Sequence, residues 1–280
     1  MPMRLRPFPA AAWRRARSLP LVVGLAALLL AGCAGKGTDE QVPEQPPEEL
    51  YGKAQQLLNE GNYRDAAPAF EEVERQHPYS QWATRGQMMA AYAFYESNQY
   101  DEAVAAAQRF IDLHPGNADV PYAYYLVGMC YYEQISDIGR DQEMTQNALN
   151  SFNELIRRYP GSDYATDAKL KVDLVRDHLA GKEMEVGRFY QRRKLWLAGV
   201  NRFQTVVEQY QTTTHVPEAL HRLTESYLAL GMTREAQASA AVLGYNFPGS
   251  EWYERSYALL RGQNLEPSKG EDGSWLSRLF

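Results

Sequence analysis

Five short segments of this chain carry the same residue types in the same places. Ala66, Ala103, Ala148, Gly199 and Ala236 open them, and four residues on stand Phe70, Ala107, Phe152, Phe203 and Ala240. Twelve residues on stand Pro78, Pro115, Pro160, Gln211 and Pro248, so only the fourth segment lacks the proline. Twelve residues ahead of the opening residue stand Ala54, Ala91, Gly187 and Thr224, while the third segment has Gly128 twenty residues ahead, an insertion of eight. A period of this length means one supersecondary unit copied and stacked. Two antiparallel helices cross closely only where the contact residues are small. The bulky residue then fills the gap beside the crossing. Proline cannot continue the hydrogen-bond ladder, so it marks the end of the second helix.

Val127-Gly128-Met129-Cys130-Tyr131 and Val186-Gly187-Arg188-Phe189-Tyr190 have the first-helix pattern of the tetratricopeptide repeat, and Asn62-Tyr63 and Gln99-Tyr100-Asp101-Glu102 have its internal turn. The chain therefore resembles that family. The resemblance implies an all-α superhelix of five helix-turn-helix repeats. Two departures give it an internal organisation. The insertion, roughly residues 134–146, holds Asp137, Gly139, Arg140 and Asp141 and is predicted to be a surface loop. The stretch from Pro160 to Gly187 is longer than a regular array needs, and residues 163–180 predict one long helix capped by Ser162 or Asp163. Its apolar face is expected to be Leu170, Val172, Leu174, Val175 and Leu179. Repeats one to three then occupy 49–160, the long helix with repeats four and five 161–261, and a flexible tail 262–280.

The N-terminus carries a different signal. Arg4, Arg6, Arg14, Arg15 and Arg17 precede an apolar run from Leu19 to Leu30. A basic leader, a short apolar core and small residues at its end make a secretory signal. The run falls short of the ~20 apolar residues a spanning helix needs. Leu30-Ala31-Gly32-Cys33 resembles the bacterial lipobox. That resemblance implies removal of residues 1–32 and a diacylglycerol and an N-acyl chain on Cys33. Ala34 replaces the aspartate that retains such proteins at the inner membrane, which implies the inner leaflet of an outer membrane, with the body facing the periplasm. The residues after Arg14-Arg15 fit twin-arginine export poorly, which favours the general route. Residues 33–48, with Gly35, Gly37, Pro43, Pro46 and Pro47 among polar residues, read as a disordered tether. Fully extended, its residues span ~3.3–3.6 Å each, enough for the body to stand clear of the membrane.

Charge and reactive groups exclude several functions. The net charge is −6, and without the five arginines of the leader it is −11. Nucleic acid needs a basic face, so it is not a partner. The same charge opposes lying flat on anionic lipid and leaves the acyl chains as the only membrane attachment, at ~0.8 kcal/mol per buried CH₂. With Cys33 acylated, Cys130 has no disulfide partner; among Val127, Met129 and Tyr131 it reads as a small buried apolar residue. No histidine pair has the spacing of a zinc helix, and no phosphate loop or nucleophile elbow is present. The expectation is no enzyme, no metal and no cofactor beyond the acyl chains.

The acylated leader, five repeats, long helix after the third and charged loop within the third are together similar to the BamD family of the β-barrel assembly machinery. Local runs agree: Ala54-Gln55-Gln56, Gly61-Asn62-Tyr63, His77-Pro78-Tyr79-Ser80, Tyr159-Pro160-Gly161-Ser162 and Val200-Asn201-Arg202. The resemblance covers about residues 48–245. It implies a binding scaffold that joins a BamA-like barrel subunit through its C-terminal half, binds C-termini of unfolded outer-membrane proteins through its N-terminal half, and has other assembly lipoproteins as further partners. First helices line the groove in such repeats. The register then aims Tyr51, Gln55, Met88, Tyr92, Tyr95, Tyr125, Met129 and Tyr132 into it, although the same side chains could pack between repeats. The resemblance carries the partner interface to Arg202, with Arg193 in Arg192-Arg193-Lys194 as a neighbouring candidate; a plain solvent contact is the other reading of Arg202. Another periplasmic repeat lipoprotein, a pilotin or a regulator of cell-wall enzymes, is the alternative function. Trp275, Leu276, Leu279 and Phe280 in the tail have helical spacing and read as a sticky arm.

Overall fold

The computed structural model describes residues 45–267, so Cys33, most of the tether and the Trp275–Phe280 arm lie outside the described residues. Eleven helices and no strand occur among the described residues: α1 Pro47–Asn59, α2 Tyr63–Gln76, α3 Gln81–Glu96, α4 Tyr100–Leu113, α5 Val120–Glu133, α6 Glu143–Arg158, α7 Asp163–Arg192, α8 Trp196–Gln209, α9 Val216–Ala229, α10 Thr233–Asn246 and α11 Glu251–Arg261. Each packs against the next, giving five helical hairpins and a final single helix. The first helices α1, α3, α5 and α7 also touch one another in succession, so their exposed residues share one side of the stack.

The sequence sets the ends of these helices by a few local devices. Two residues past the prolines at 78, 160 and 248, the hydroxyls of Ser80, Ser162 and Ser250 accept the backbone N–H of Ala83, Ala165 and Tyr253 at 3.0, 3.1 and 3.2 Å. Each satisfies one of the orphan donors of a helix start. For α7 this decides between Ser162 and Asp163 in favour of the serine. α5 and α9 instead carry Pro121 and Pro217 at their second residue, where the fixed φ suits a first turn. Inside four of the repeats the turn holds one residue in the left-handed region, always five positions before the small residue of the second helix: Gly61, Asn98, Lys194 and Gly231, with φ between 60 and 75°.

The repeat positions are the core. Ala54, Ala66, Phe70, Ala91, Ala103, Ala107, Ala148, Phe152, Phe203, Thr224, Ala236 and Ala240 are fully buried. The glycines do more than let helices approach. A Cβ on Gly128 would lie 2.5 Å from Cε1 of Phe152, and one on Gly187 would lie 2.4 Å from Cε1 of Phe203. The bulky residue of the second helix therefore lays its ring on the glycine of the first, and Gly199 meets the carbonyl oxygen of Gly187 beside it, its Cβ position 3.4 Å away.

Four expectations are corrected. The long helix does not stop at Ala180 but runs 30 residues to Arg192, so the spacer and the first helix of repeat four are one rod. Its buried stripe is Ala165, Ala168, Val172, Val175 and Leu179. Leu170 and Leu174 face away from that stripe and are 65% and 60% exposed. The inserted loop covers 134–142 only, because Glu143 already starts α6. It lies at the surface as expected, with Asp137, Gly139, Arg140 and Asp141 exposed, and it is tied to α7: Lys182 donates to the Gly139 carbonyl at 3.1 Å, and Ile138 packs by Gly181. Finally, the last tether residues belong to the fold. The N–H of Gln45 donates to Gln76 Oε1 at 3.3 Å, the Gln45 carbonyl pairs with His77 Nε2 at 2.6 Å, and Trp82 Nε1 donates to Glu48 at 3.0 Å.

Candidate functional site

The shared side of α3, α5 and α7 carries tyrosines in contact. Tyr122 and Tyr125 stand one turn apart on α5, and Tyr164 enters from the first turn of α7. Tyr164 lies 5.2 Å from Tyr122 and 5.5 Å from Tyr125 between ring centroids, and it is 39% exposed. Tyr125 donates its hydroxyl to Asp167 at 2.6 Å, and Tyr95 reaches Glu133 at 3.5 Å. Asp167 in turn pairs with Lys171 at 3.6 Å, and Lys171 Nζ sits 5.0 Å from the centroid of Tyr132. Burial, with the neighbouring carboxylates next, pushes the Tyr95 hydroxyl up to about 12 and raises Tyr125, while burial and then the neighbouring hydroxyls of Tyr92 and Tyr164 raise Tyr122. Tyr92 is raised by burial and then by Glu96. These rings stay protonated donors at any physiological pH.

The predicted groove residues divide accordingly. Tyr92, Tyr95, Tyr125 and Tyr132 join this tyrosine cluster, half-buried. Tyr51 is half-buried against Phe70 and Trp82, at 5.3 and 5.0 Å, in the first repeat. Gln55 is half-buried there too and bonds to Asn59 at 3.1 Å. Met129 packs into the core between α6 and α7. Met88 is a correction: at 5% exposure it belongs to the core around Ala91, Ala103 and Val127, because its position on α3 faces α4 and α5 rather than the open side. Sequence reasoning missed Tyr122, Tyr164, Asp167 and Lys171. Tyr122 sits three residues before Tyr125, a spacing that signals one helix face. Tyr164 and Lys171 lie on the long helix outside the face expected to be apolar, and only its packing beside α5 brings them to the tyrosines.

A second face lies where α7 turns into α8. Arg202 reaches across to Glu183 of α7 at 3.1 Å, with its side chain 45% exposed. Arg193 lies over the ring of Phe189 at 4.1 Å. A shallow cavity of about 220 Å³ is lined by Tyr190, Ala198, Asn201, Arg202 and Thr205, and Tyr190 also borders a neighbouring cavity of about 280 Å³ that includes Gly139, Lys182, Phe189 and Arg192. The inserted loop thus forms one bank of this face. Leu195 and Leu197 stand exposed in the same turn and helix start. Exposed leucines beside arginines make a surface able to bury apolar area and pair carboxylates at once. Among the described residues, no helix is long and apolar enough to cross a membrane. No group of three His, Cys, Asp or Glu among them could hold a metal ion.

Comparison with known proteins shows the family. The family model YfiO, described as outer membrane lipoprotein, matches residues 43–243. The outer membrane protein assembly factor BamD of Caulobacter vibrioides is 50% identical over 246 residues, 87% of this chain and 81% of its own. BamD of Rickettsia prowazekii is 44% identical over 241 residues, 86% and 94% of the two chains. BamD of Neisseria meningitidis serogroup A is 35% identical over 244 residues, 82% and 91%.

Proposed function

The chain belongs to the BamD family of outer membrane protein assembly factors, and from that premise we propose that it is a two-faced docking scaffold. The tyrosine face of α3, α5 and α7 receives the C-terminal segments of unfolded outer-membrane proteins. The face at the α7–α8 turn, with Arg193 and Arg202, holds a BamA-like barrel subunit, and other assembly lipoproteins join the same complex. A diacylated, N-acylated Cys33 anchors the chain to the inner leaflet of the outer membrane. Its role in outer-membrane protein assembly is non-enzymatic.

The observation that carries this proposal is the contact of tyrosine rings between α5 and α7, with the hydroxyls of Tyr125 and of Tyr95 from α3 turned to Asp167 and Glu133. An extended peptide offers alternating side chains and a line of backbone N–H groups. Rings with apolar bodies take the first, and carboxylates between them take the second. At the other face, arginine pairs carboxylates in a fixed fork, and Arg202 keeps enough exposure to exchange Glu183 for a partner's acid.

The test separates the two faces. Arg202→Glu should reduce co-purification of the barrel subunit and leave client binding intact. Tyr164→Asp should do the reverse. If either variant, folded as the parent, changes neither recovery, that face loses its assignment. Equal loss of both partners in both variants would mean one shared surface rather than two.

A further inference from the structure

The turn that follows α11 repeats the turn inside the repeats. In repeats one, two, four and five the left-handed residue is followed by one whose N–H donates to the carbonyl five positions back: Asn62 to Leu57, Gln99 to Phe94, Leu195 to Tyr190 and Met232 to Tyr227, at 2.9–3.0 Å. After α11, Asn264 holds φ at 57° and Leu265 donates to Leu260 at 2.9 Å. In each of those repeats the donor of this bond is the N-cap of the second helix. Leu265 stands in the same place and packs against the C-terminal core. α11 packs on α9 and α10 as a first helix does, yet no second helix lies against it among the described residues. Two of its large side chains, Tyr257 and Leu259, are 39% and 38% exposed.

We propose that residues 266–279 are the second helix of a sixth repeat, docked on the exposed side of α11. The turn sets the register. Second helices of 14 residues begin two positions past the left-handed residue, which makes Glu266 the first residue and puts Pro267 second, as Pro121 and Pro217 are in α5 and α9. Seven positions before the left-handed residue and nine after it stand the paired contact residues of the two helices: Ala54 with Phe70, Ala91 with Ala107, Gly187 with Phe203 and Thr224 with Ala240. Each pair has at least one glycine or alanine. The sixth pair is Tyr257 with Gly273, so the ring comes from the first helix and the glycine from the second. Twelve positions after the left-handed residue stand Val73, Phe110, Val206 and Leu243, all fully buried; the sixth repeat has Leu276 there. Sixteen after it stand His77, His114, Tyr210 and Phe247, each the half-buried C-cap of its helix; the sixth repeat has Phe280. Gly270 and Gly273 weaken this helix on its own, and one of this length is marginal in water. It therefore forms against α11, where Leu276 extends the core that Leu260 and Leu265 already reach, and it closes the last unit of the stack.

Hydrogen exchange on the full chain tests this. Amides of residues 270–280 should exchange at least ~tenfold more slowly than in an isolated peptide of residues 266–280. Leu276→Asp should return them to the rate of the peptide and leave protection of α1 to α10 unchanged. Gly273→Phe sets a ring against Tyr257 and should do the same. Tyr257→Ala added to Gly273→Phe should restore protection, because it recreates the pairing of Ala54 with Phe70. Wild type exchanging at the rate of the peptide would overturn the sixth repeat. So would protection that survives both single variants, or protection that is lost on dilution, which would seat the segment on a second copy of the chain. A double variant that stays unprotected would overturn the pairing of Tyr257 with Gly273, and the register with it.

Discussion

Replacing Gly187 by alanine puts the packing rule of this fold to a quantitative test. In an exposed helix interior Gly→Ala stabilises by ~0.8–1 kcal/mol through propensity alone. Gly52 of α1 is such a site, exposed and with no atom within 4 Å of its Cβ position. At Gly187 the new methyl would lie 2.4, 2.8 and 2.9 Å from Cε1, Cζ and Cδ1 of Phe203. Carbon atoms in contact prefer ~3.5–4.0 Å, so the ring must retreat by more than an ångström. Phe203 is fully buried and has nowhere to go without moving α8. Overpacking of this kind costs ~1–3 kcal/mol, which outweighs the propensity gain. Gly187→Ala should therefore lower the urea midpoint at unchanged slope, a net loss of up to ~2 kcal/mol, while Gly52→Ala raises it. Phe203→Leu removes the ring edge, so Gly187→Ala made in that background should cost less, with a coupling of ~1–2 kcal/mol, inside the usual range for touching residues. Circular dichroism at increasing urea reads all four variants. Equal, stabilising shifts for Gly52→Ala and Gly187→Ala would refute the ring-on-glycine account of the repeats.

Three further outcomes follow from single residues. Lys194 holds φ at 61°, a conformation that costs an L-residue ~1–2 kcal/mol, so Lys194→Gly should raise the melting temperature, whereas Gly231→Ala at the equivalent place in repeat five should lower it. His221 is buried against Ser256, which it meets at 2.9 Å, and under Trp252; burial lowers its pKa, with Glu225 opposing and Arg222 and Arg255 assisting. Because the folded pKa lies below the unfolded ~6.5, the unfolded state binds more protons on acidification; this contribution is intact above that pH and is lost as pH falls below it. Thermal melts at pH 7.5 and 5 should show wild type losing more stability than His221→Gln. Burial pushes the Cys130 thiol up to about 12, so native protein should resist iodoacetamide at pH 8 and react only once unfolded; rapid native labelling would contradict the buried position.

The repeat architecture was legible because each of its rules is local. A small residue, a bulky residue four on and a proline twelve on are visible in the chain order, and Ala66, Phe70, Phe152 and Phe203 all prove to be core. Of the serine caps only the start of α7 was legible, and only as Ser162 or Asp163; those at Ser80 and Ser250 carry the same Pro-x-Ser spacing. What escaped depended on neighbours distant in sequence. Leu170 and Leu174 look like Val172 and Val175 in composition, and only the position of α5 and α6 decides which of them is covered. Met88 and Tyr92 sit one turn apart on α3, yet α4 and α5 cover the first and not the second. Lys194 gives no sign of its left-handed backbone; its place five residues before Gly199 does, once Gly61, Asn98 and Gly231 are aligned with it. Tyr164 joins the tyrosine face only because α7 packs beside α5, a neighbour the chain order does not show.

The docking of unfolded clients on the tyrosine face is tested most directly by a photocrosslinking residue placed at Tyr92 or Tyr125 while an outer-membrane barrel protein is being made. Covalent adducts to the unassembled client should form from both positions, and should vanish when the client's C-terminal segment is deleted. Adducts that persist without that segment, or that form equally well from Tyr245 on the far side of the last hairpin, where the ring is 85% exposed, would contradict it.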